Sequence, residues 1–139
     1  MENNVLKTLE YKMQNMDIPS YISEKCEKEI LKLYKGDEKG LRILAESLYD
    51  HLQRFIEHKQ TMLSSRKIFE PVILNKKYKK KLGDNIQVFS YRYMHNGENR
   101  NLRLLFVLDE ENEYTFFSAF IEHDKNEYNK NIDKSIERL

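Results

Sequence analysis

The chain has 139 residues, of which 40% are hydrophobic and 34% are charged, and its formal net charge is +1. This length predicts a single domain with a sizeable core, and no run approaches the roughly 18 apolar residues that a membrane span needs. The first residues lack the basic head and apolar block of a secretory signal. The single cysteine, Cys26, cannot form an internal disulfide. We therefore expect a cytoplasmic protein with no membrane partner.

Apolar residues at helical spacing predict a series of helices in the first part of the chain. One stripe begins at Val5 and a second at Ile22, with an interruption at Pro19 between them. The clearest stripe runs over residues 41–56 and makes one continuous face. Cys26 belongs to the second stripe, so we interpret it as a small core residue and not as a nucleophile.

The glycines Gly36 and Gly40 are expected to close the second helix. Residues 1–40 could form an appended helical hairpin, with residues 41–139 as the core of the single domain 1–139.

The later part of the chain predicts a sheet. The stretch "KIFEPVIL" is rich in β-formers but contains Pro71, which favours an edge strand or an extended connection. Segments 86–94, 101–109 and 113–121 are strand candidates separated by turn-forming residues, and 126–139 predicts a closing helix. The predicted fold class is α+β, with N-terminal helices packed on a three- to four-stranded antiparallel sheet and a C-terminal helix.

Adjacent strands of this sheet each carry an arginine. If the first two candidates pair across "HNGENR", Arg92 lies opposite Arg103. The other face, with Phe89 and Phe106, is then an apolar surface that the helix at 41–60 is expected to cover.

We expect Arg92 and Arg103 to lie side by side on the exposed face of the sheet and to be partly solvent-accessible. Like charges directly opposite one another are destabilising, which favours an anion or a partner's carboxylate between them. Replacing either arginine should then leave folding nearly intact. The alternative is a different register, in which each arginine pairs with an acid such as Glu98 or Glu122.

Charge is distributed unevenly along the chain. Residues 1–65 carry a net charge of −1, residues 66–103 carry +7 and residues 104–139 carry −5. A basic centre can be a solvated surface or a field that attracts a polyanion, and both interpretations stay open. Its densest part is "NKKYKKKLGD", in which we expect Tyr78 and Leu82 to face inward. The lysines of this segment are candidates for holding a nucleic-acid backbone: Lys76, Lys77, Lys79, Lys80 and Lys81.

Several kinds of chemistry lack their sequence motifs. The chain has no glycine-rich phosphate loop and no GxSxG nucleophile elbow. His51 and His58 are expected on the solvent side of a helix and His95 in a turn, and none has a metal-ligand spacing. We therefore expect neither a metal site nor a cofactor.

Residues 66–139 resemble the C-terminal half of RelE/HigB-type toxins of bacterial toxin–antitoxin pairs. In that family a strand ending in an arginine precedes a strand of the form [YL]R[IL]LF, and a third apolar strand ends in a small residue and Phe. A helix with a small residue near its end follows. Here these features fall on Arg92, on 102–106, on Ala119 with Phe120, and on Ser135 with Arg138.

The resemblance implies a compact sheet on helices, a cognate antitoxin as partner, and cleavage of messenger RNA on the ribosome. Such cleavage needs no metal, because the ribose 2′-OH attacks the neighbouring phosphate. Arginines suit the charge that grows on that phosphate. Family members often carry lysines where this chain has Glu122 and His123, so His123 and Tyr128 become the candidates for moving protons. The candidate catalytic residues are Arg92, Arg103, His123 and Tyr128.

Three classes of function remain open from the sequence. The first is an RNA-cleaving toxin, the second a catalytically inactive toxin-like module that binds proteins. The third is a small α+β interaction protein unrelated to toxins, in which the two arginines belong to structural ion pairs.

Overall fold

The structure is a computed structural model that describes residues 2–83, 85–94 and 101–139. It confirms the α+β class and the C-terminal helix. The helices of the described residues are α1 (Glu2–Gln14), α2 (Glu24–Leu33), α3 (Glu38–Glu57), α4 (Lys59–Ser65), α5 (Lys76–Leu82) and α6 (Lys125–Ile136). The strands are β1 (Ser20–Ile22), β2 (Phe69–Pro71), β3 (Gln87–Met94), β4 (Asn101–Leu108) and β5 (Tyr114–Glu122). None of these helices is long and apolar enough to cross a membrane.

The strands form one mixed sheet in the order β1-β5-β4-β3-β2, in which β1 runs parallel to β5 and the other neighbours are antiparallel. The expected antiparallel sheet of three to four strands is therefore wrong in strand number and in direction at one edge. The strand that sequence reasoning missed is β1, which lies where we expected the second helix to begin. Ser23 directly follows this strand and is the N-cap of α2. Its Oγ accepts a hydrogen bond from the backbone N–H of Cys26.

The three consecutive antiparallel strands are confirmed, together with their register. β3 pairs with β4 so that Arg92 faces Arg103, and β4 pairs with β5. Pro71 lies in the edge strand β2, opposite Phe89, as its missing N–H requires.

The first face of the sheet packs against α1, α2 and α3 in the larger core cluster. Phe55 of α3 contacts the rings of Phe69, Phe89 and Phe106 at centroid distances of 4.4, 5.2 and 5.5 Å. These contacts confirm that this helix covers the Phe89/Phe106 face. Burial of such large aromatic side chains is the main favourable contribution to folding here.

The start of α3 differs from the expectation. Gly40 does not close the second helix but lies buried in the first turn of α3, where its N–H donates to the N-cap Asp37. A Cβ at Gly40 would lie 2.3 Å from Asp37 Oδ2. Gly36, with φ of 79°, supplies the left-handed residue in the connection.

The second face of the sheet is covered by α5 and α6, so the expectation of an exposed face is wrong over most of its length. The cluster beneath these helices is a second apolar core that consists of Tyr78, Val88, Leu105, Val107, Phe117, Ile132 and Ile136. The inward orientation of Tyr78 and Leu82 is confirmed.

The C-terminal helix is tied to α2 by an ion pair. Arg138 donates from Nη1 to Glu29 Oε1 at 2.7 Å, from Nη2 to Glu29 Oε2 at 2.9 Å, and from Nη1 to the carbonyl of Phe117. Glu29 also accepts from the N–H of Ala119. The Arg138–Glu29 pair lies beside a bulge in β5. It forms hydrogen bonds with the carbonyl of Phe117 and the N–H of Ala119, which lie beyond the last residue of β5 that β1 pairs with.

A carboxylate pair between α1 and α2 predicts a dependence of stability on pH. Burial, a hydrogen bond with Glu27 and the charge of Glu27 raise the pKa of Glu10 from 4.5 to about 7. The folded state therefore binds the proton more tightly than the unfolded state. The stabilisation is complete below pH 4.5 and is lost as the pH rises through 7.

We expect Glu10→Gln to raise the melting temperature at pH 8 by about 2–4 °C and to leave it nearly unchanged at pH 5. The side chain is half-buried and still reaches solvent, so the free-energy gain is on the order of 1 kcal/mol after solvent screening. Glu46→Gln, which changes an exposed carboxylate of α3, is the control. An equal gain at both pH values would contradict the carboxylate pair.

Candidate functional site

Arg103 lies in β4 at the centre of a polar cluster on the second face of the sheet. Its Nη1 donates to Glu70 Oε1 and its Nε to Glu122 Oε2, each at 2.8 Å. Nη1 also lies 3.3 Å from Ser90 Oγ. The residue is only 7% exposed, so the expected partial accessibility is wrong for Arg103. The alternative pairing with Glu122 is present, and it occurs within the predicted register.

Tyr128 of α6 packs against the cluster and contacts two of its residues. The Arg103 guanidinium lies 4.7 Å from the centre of the Tyr128 ring, and the Tyr128 hydroxyl donates to Glu70 Oε1 at 3.2 Å. Burial raises the pKa of the Tyr128 phenol. Tyr128 is therefore a hydrogen-bond donor at neutral pH and not a base.

Arg92 lies beside Arg103 but in a different environment. It is half-buried, and its Nη2 donates to Asn101 Oδ1 at 3.3 Å. Its Nε has no hydrogen-bond partner, and it makes no ion pair, among the residues that the structure describes. The partial accessibility expected for Arg92 is confirmed. The alternative partner Glu98 and the turn residue His95 lie outside the described residues.

His123 is exposed and follows Glu122 directly, just before the N-cap Asp124 of α6. Within the described part of the chain, its ring makes no hydrogen bond or ring contact with the arginine cluster. The chain therefore brings His123 to the edge of the cluster without placing it inside.

The candidate lysines all lie on α5 and are exposed. α5 precedes β3 in the chain, and Arg92 lies five residues after the first residue of that strand. At about 3.4 Å per residue, roughly 17 Å of strand separate Arg92 from the start of β3. The lysines and arginines are thus two separate basic regions on one side of the molecule.

Glu70 is the member of the cluster that sequence reasoning missed. It pairs with Ser90 across the β2–β3 ladder and so points to the same face as Arg103. The signal was present in "KIFEPVIL", where one carboxylate interrupts an apolar run. A carboxylate in a mainly apolar strand needs a partner, and Arg103 supplies it from β4, across the intervening strand β3.

His51 differs from its expected position on the solvent side. It is half-buried, its Nδ1 lies 2.8 Å from the hydroxyl of Tyr91, and Ser47 Oγ completes the group at 3.1 Å from the same hydroxyl. Burial, followed by the charge of Arg54, lowers the pKa of His51. An imidazole hydrogen-bonded to a buried tyrosine is a structural group that joins α3 to β3.

Within the described residues no group of three or more acidic, histidine or cysteine side chains could hold a metal ion. Comparison of the chain with family models, with curated proteins and with solved structures finds no match.

Proposed function

We propose that this protein is a RelE/HigB-like toxin that cleaves messenger RNA without a metal ion and is held in check by a cognate antitoxin. The observation that carries the proposal is the convergence of Glu70, Arg92, Arg103 and Tyr128. They come from β2, β3, β4 and α6 and meet at one end of the sheet. A carboxylate, two guanidinium groups and a phenol are sufficient for proton transfer and phosphate stabilisation.

The reaction we propose is attack of a ribose 2′-oxygen on the adjacent phosphorus. A base takes the 2′-OH proton, the new P–O bond closes a cyclic phosphate, and the bond to the 5′-oxygen breaks as that oxygen receives a proton. Glu70 is our candidate for the base, because its side chain is 28% exposed while two donors fix its carboxylate. Both donors bind Oε1 of Glu70, so the Oε2 atom of its carboxylate can face a bound ribose.

In this proposal the two arginines have different roles. Arg103 is a positioning residue, because its donors are occupied by Glu70 and Glu122. Arg92 is the residue that holds the phosphate, since its side chain is only half-buried and makes no ion pair with the described residues, whereas Arg103 is 7% exposed. His123 is the candidate acid for the 5′-oxygen, which would require its exposed ring to swing toward bound RNA. Replacing His123 by alanine should then remove one limb of the pH–rate profile.

The lysines of α5 supply a salt-dependent prediction. Because they are mobile point charges, they should hold RNA backbone without sequence preference. Replacing Lys76, Lys79 and Lys80 by glutamine should lower the slope of log affinity against log salt by roughly 2, measured by anisotropy with a short single-stranded RNA. Replacing Lys130 and Lys134 of α6 by glutamine is the control. An unchanged slope would assign α5 to a solvated surface.

A second candidate is a catalytically inactive toxin-like module that binds proteins. The observation that favours it is charge balance, because the cluster holds two carboxylates for its two arginines, and both carboxylates pair with Arg103. A neutral site attracts a phosphate weakly.

Induction of the protein alone in a bacterial host distinguishes these candidates. Growth arrest accompanied by new transcript 5′ ends supports cleavage, and arrest without new ends supports the binding module. Continued normal growth with abundant folded protein would exclude both toxin activities.

A further inference from the structure

A cleft of about 560 Å³ opens on the basic side of the molecule, between α4, the segment after β2 and the start of β3. Its side walls are mainly apolar, and Lys59 and Lys79 lie at its rim. None of the described residues that line it is acidic. The apolar side chains that line it include Leu63, Val72, Ile73, Leu74, Ile86 and Phe89.

Lys59 places a positive charge at this rim that none of the described residues neutralises. Its Nζ lies 4.8 Å from the centre of the Phe89 ring and donates to Gln87 Oε1 at 2.9 Å. Both partners are neutral, and Lys59 makes no ion pair with the described residues. A half-buried ammonium held by neutral groups gains most when a carboxylate approaches.

Ile73 is the most exposed large apolar side chain of the described residues, at 86%. It lines the cleft together with its neighbours Val72 and Leu74, in the segment after β2. Exposed aliphatic side chains next to an apolar cleft are typical of contact surfaces. The lysines of α5 extend the positive charge on the adjoining surface.

We propose that this cleft binds an acidic segment of a partner protein. The segment inserts a large apolar side chain beside Ile73 and places carboxylates against Lys59 and Lys79. The chemistry of the walls favours protein over RNA, because Phe89 is buried and offers no face on which a base could stack. The proposal does not depend on RNA cleavage, since the arginine cluster lies at the other end of β3.

The probe is a labelled peptide of roughly 12 residues in which Glu and Leu alternate, a length suited to an extended segment in a groove. Two matched peptides replace Glu by Lys or Leu by Ser. We expect the Glu/Leu peptide to bind at least about tenfold more tightly than either, as measured by fluorescence anisotropy. If the Lys/Leu peptide binds equally well, the carboxylates do not matter and the proposal is overturned. If the Glu/Ser peptide binds equally well, the apolar side chains do not matter and the proposal is overturned as well.

Variants then locate the site. Ile73→Asp and Lys79→Glu should each weaken binding of the Glu/Leu peptide by about tenfold. Ile43→Asp on α3 and Lys134→Glu on α6 introduce the same changes on other surfaces and should leave it unchanged. Equal effects of test and control variants would place the peptide elsewhere and overturn the proposal.

Two further results would also overturn it. Loss of oligouridine binding in Ile73→Asp, with no binding of the peptide to wild type, would make the cleft a nucleic-acid surface. A concentration-dependent dimer of wild type that Ile73→Asp dissociates would make a second copy the occupant. Because Ile73→Asp leaves both the arginine cluster and the lysines of α5 intact, growth arrest on induction of this variant should persist, so failure of this proposal is separable from failure of the proposed function.

Discussion

Replacing Arg103 by alanine is expected to destabilise the protein by about 2–4 kcal/mol, because two carboxylates lose their counter-charge in a largely buried site. Glu70 and Glu122 retain side-chain exposures of 28% and 17%, which limits the penalty below that of a fully buried pair. The lost stacking on Tyr128 adds to it. A protein of this size should lose roughly 8–15 °C in melting temperature. This expectation reverses the one from sequence, in which alanine left folding nearly intact.

A compensating variant distinguishes charge from packing. Arg103→Met combined with Glu70→Gln and Glu122→Gln removes all three charges while keeping most of the volume. It should recover much of the lost stability, because the cost lies in unpaired carboxylates. Arg103→Met alone should remain destabilised. Thermal melts at pH 7 measure both, and an Arg103→Ala melting temperature equal to that of wild type would show that the ion pairs contribute nothing.

The central strands could be predicted because their signals are local. Alternation on 87–94 and 101–108 fixes which side chains share a face, and the length of the segment between them is compatible with the register that pairs Arg92 with Arg103. The helix α3 was equally clear, since one continuous stripe over several turns has few interpretations.

Other features depend on distant parts of the chain and left little local signal. β1 has only three residues, too few to alternate, and it exists because β5 offers an unpaired edge far along the chain. The helices that cover the second face were not predicted. Val88, Leu105 and Val107 lie on the same face as two arginines, and the polar character of the arginine end led to the prediction that the whole face is exposed. The apolar end is covered by α6.

The role of Arg103 shows why the site was predicted only in part. The sequence placed two arginines side by side, and the structure does the same. Their environments differ because Glu70 pairs with Arg103. Glu70 lies in an edge strand and is 33 residues from Arg103 in the chain. A pairing at that distance along the chain depends on strand order, which alternation alone does not determine.

Replacing Arg92 by alanine should abolish most of the proposed activity while leaving the fold intact. Arg92 is half-buried, and the one hydrogen bond that its side chain makes with the described residues is to Asn101 at 3.3 Å. Its removal relieves repulsion from Arg103 opposite. We therefore expect the melting temperature to stay within about 3 °C of wild type. Loss of one phosphate-binding donor from a preorganised site should slow cleavage on the order of 100-fold.

The controls for Arg92 use the chain's own residues. Arg54→Ala removes an exposed arginine from α3, on the opposite face of the sheet, and should leave growth arrest unchanged. Arg92→Lys keeps the charge but not the planar fork, so it should retain an intermediate rate if bidentate contact with phosphate matters. Growth arrest and transcript cleavage after induction, with melts as the folding check, give the answer. A folded Arg92→Ala variant that cleaves RNA as wild type does would remove Arg92 from the reaction. With Arg103 already held by two carboxylates, the cluster would then have no cation left for a phosphate, and the protein-binding module would become the better account of this fold.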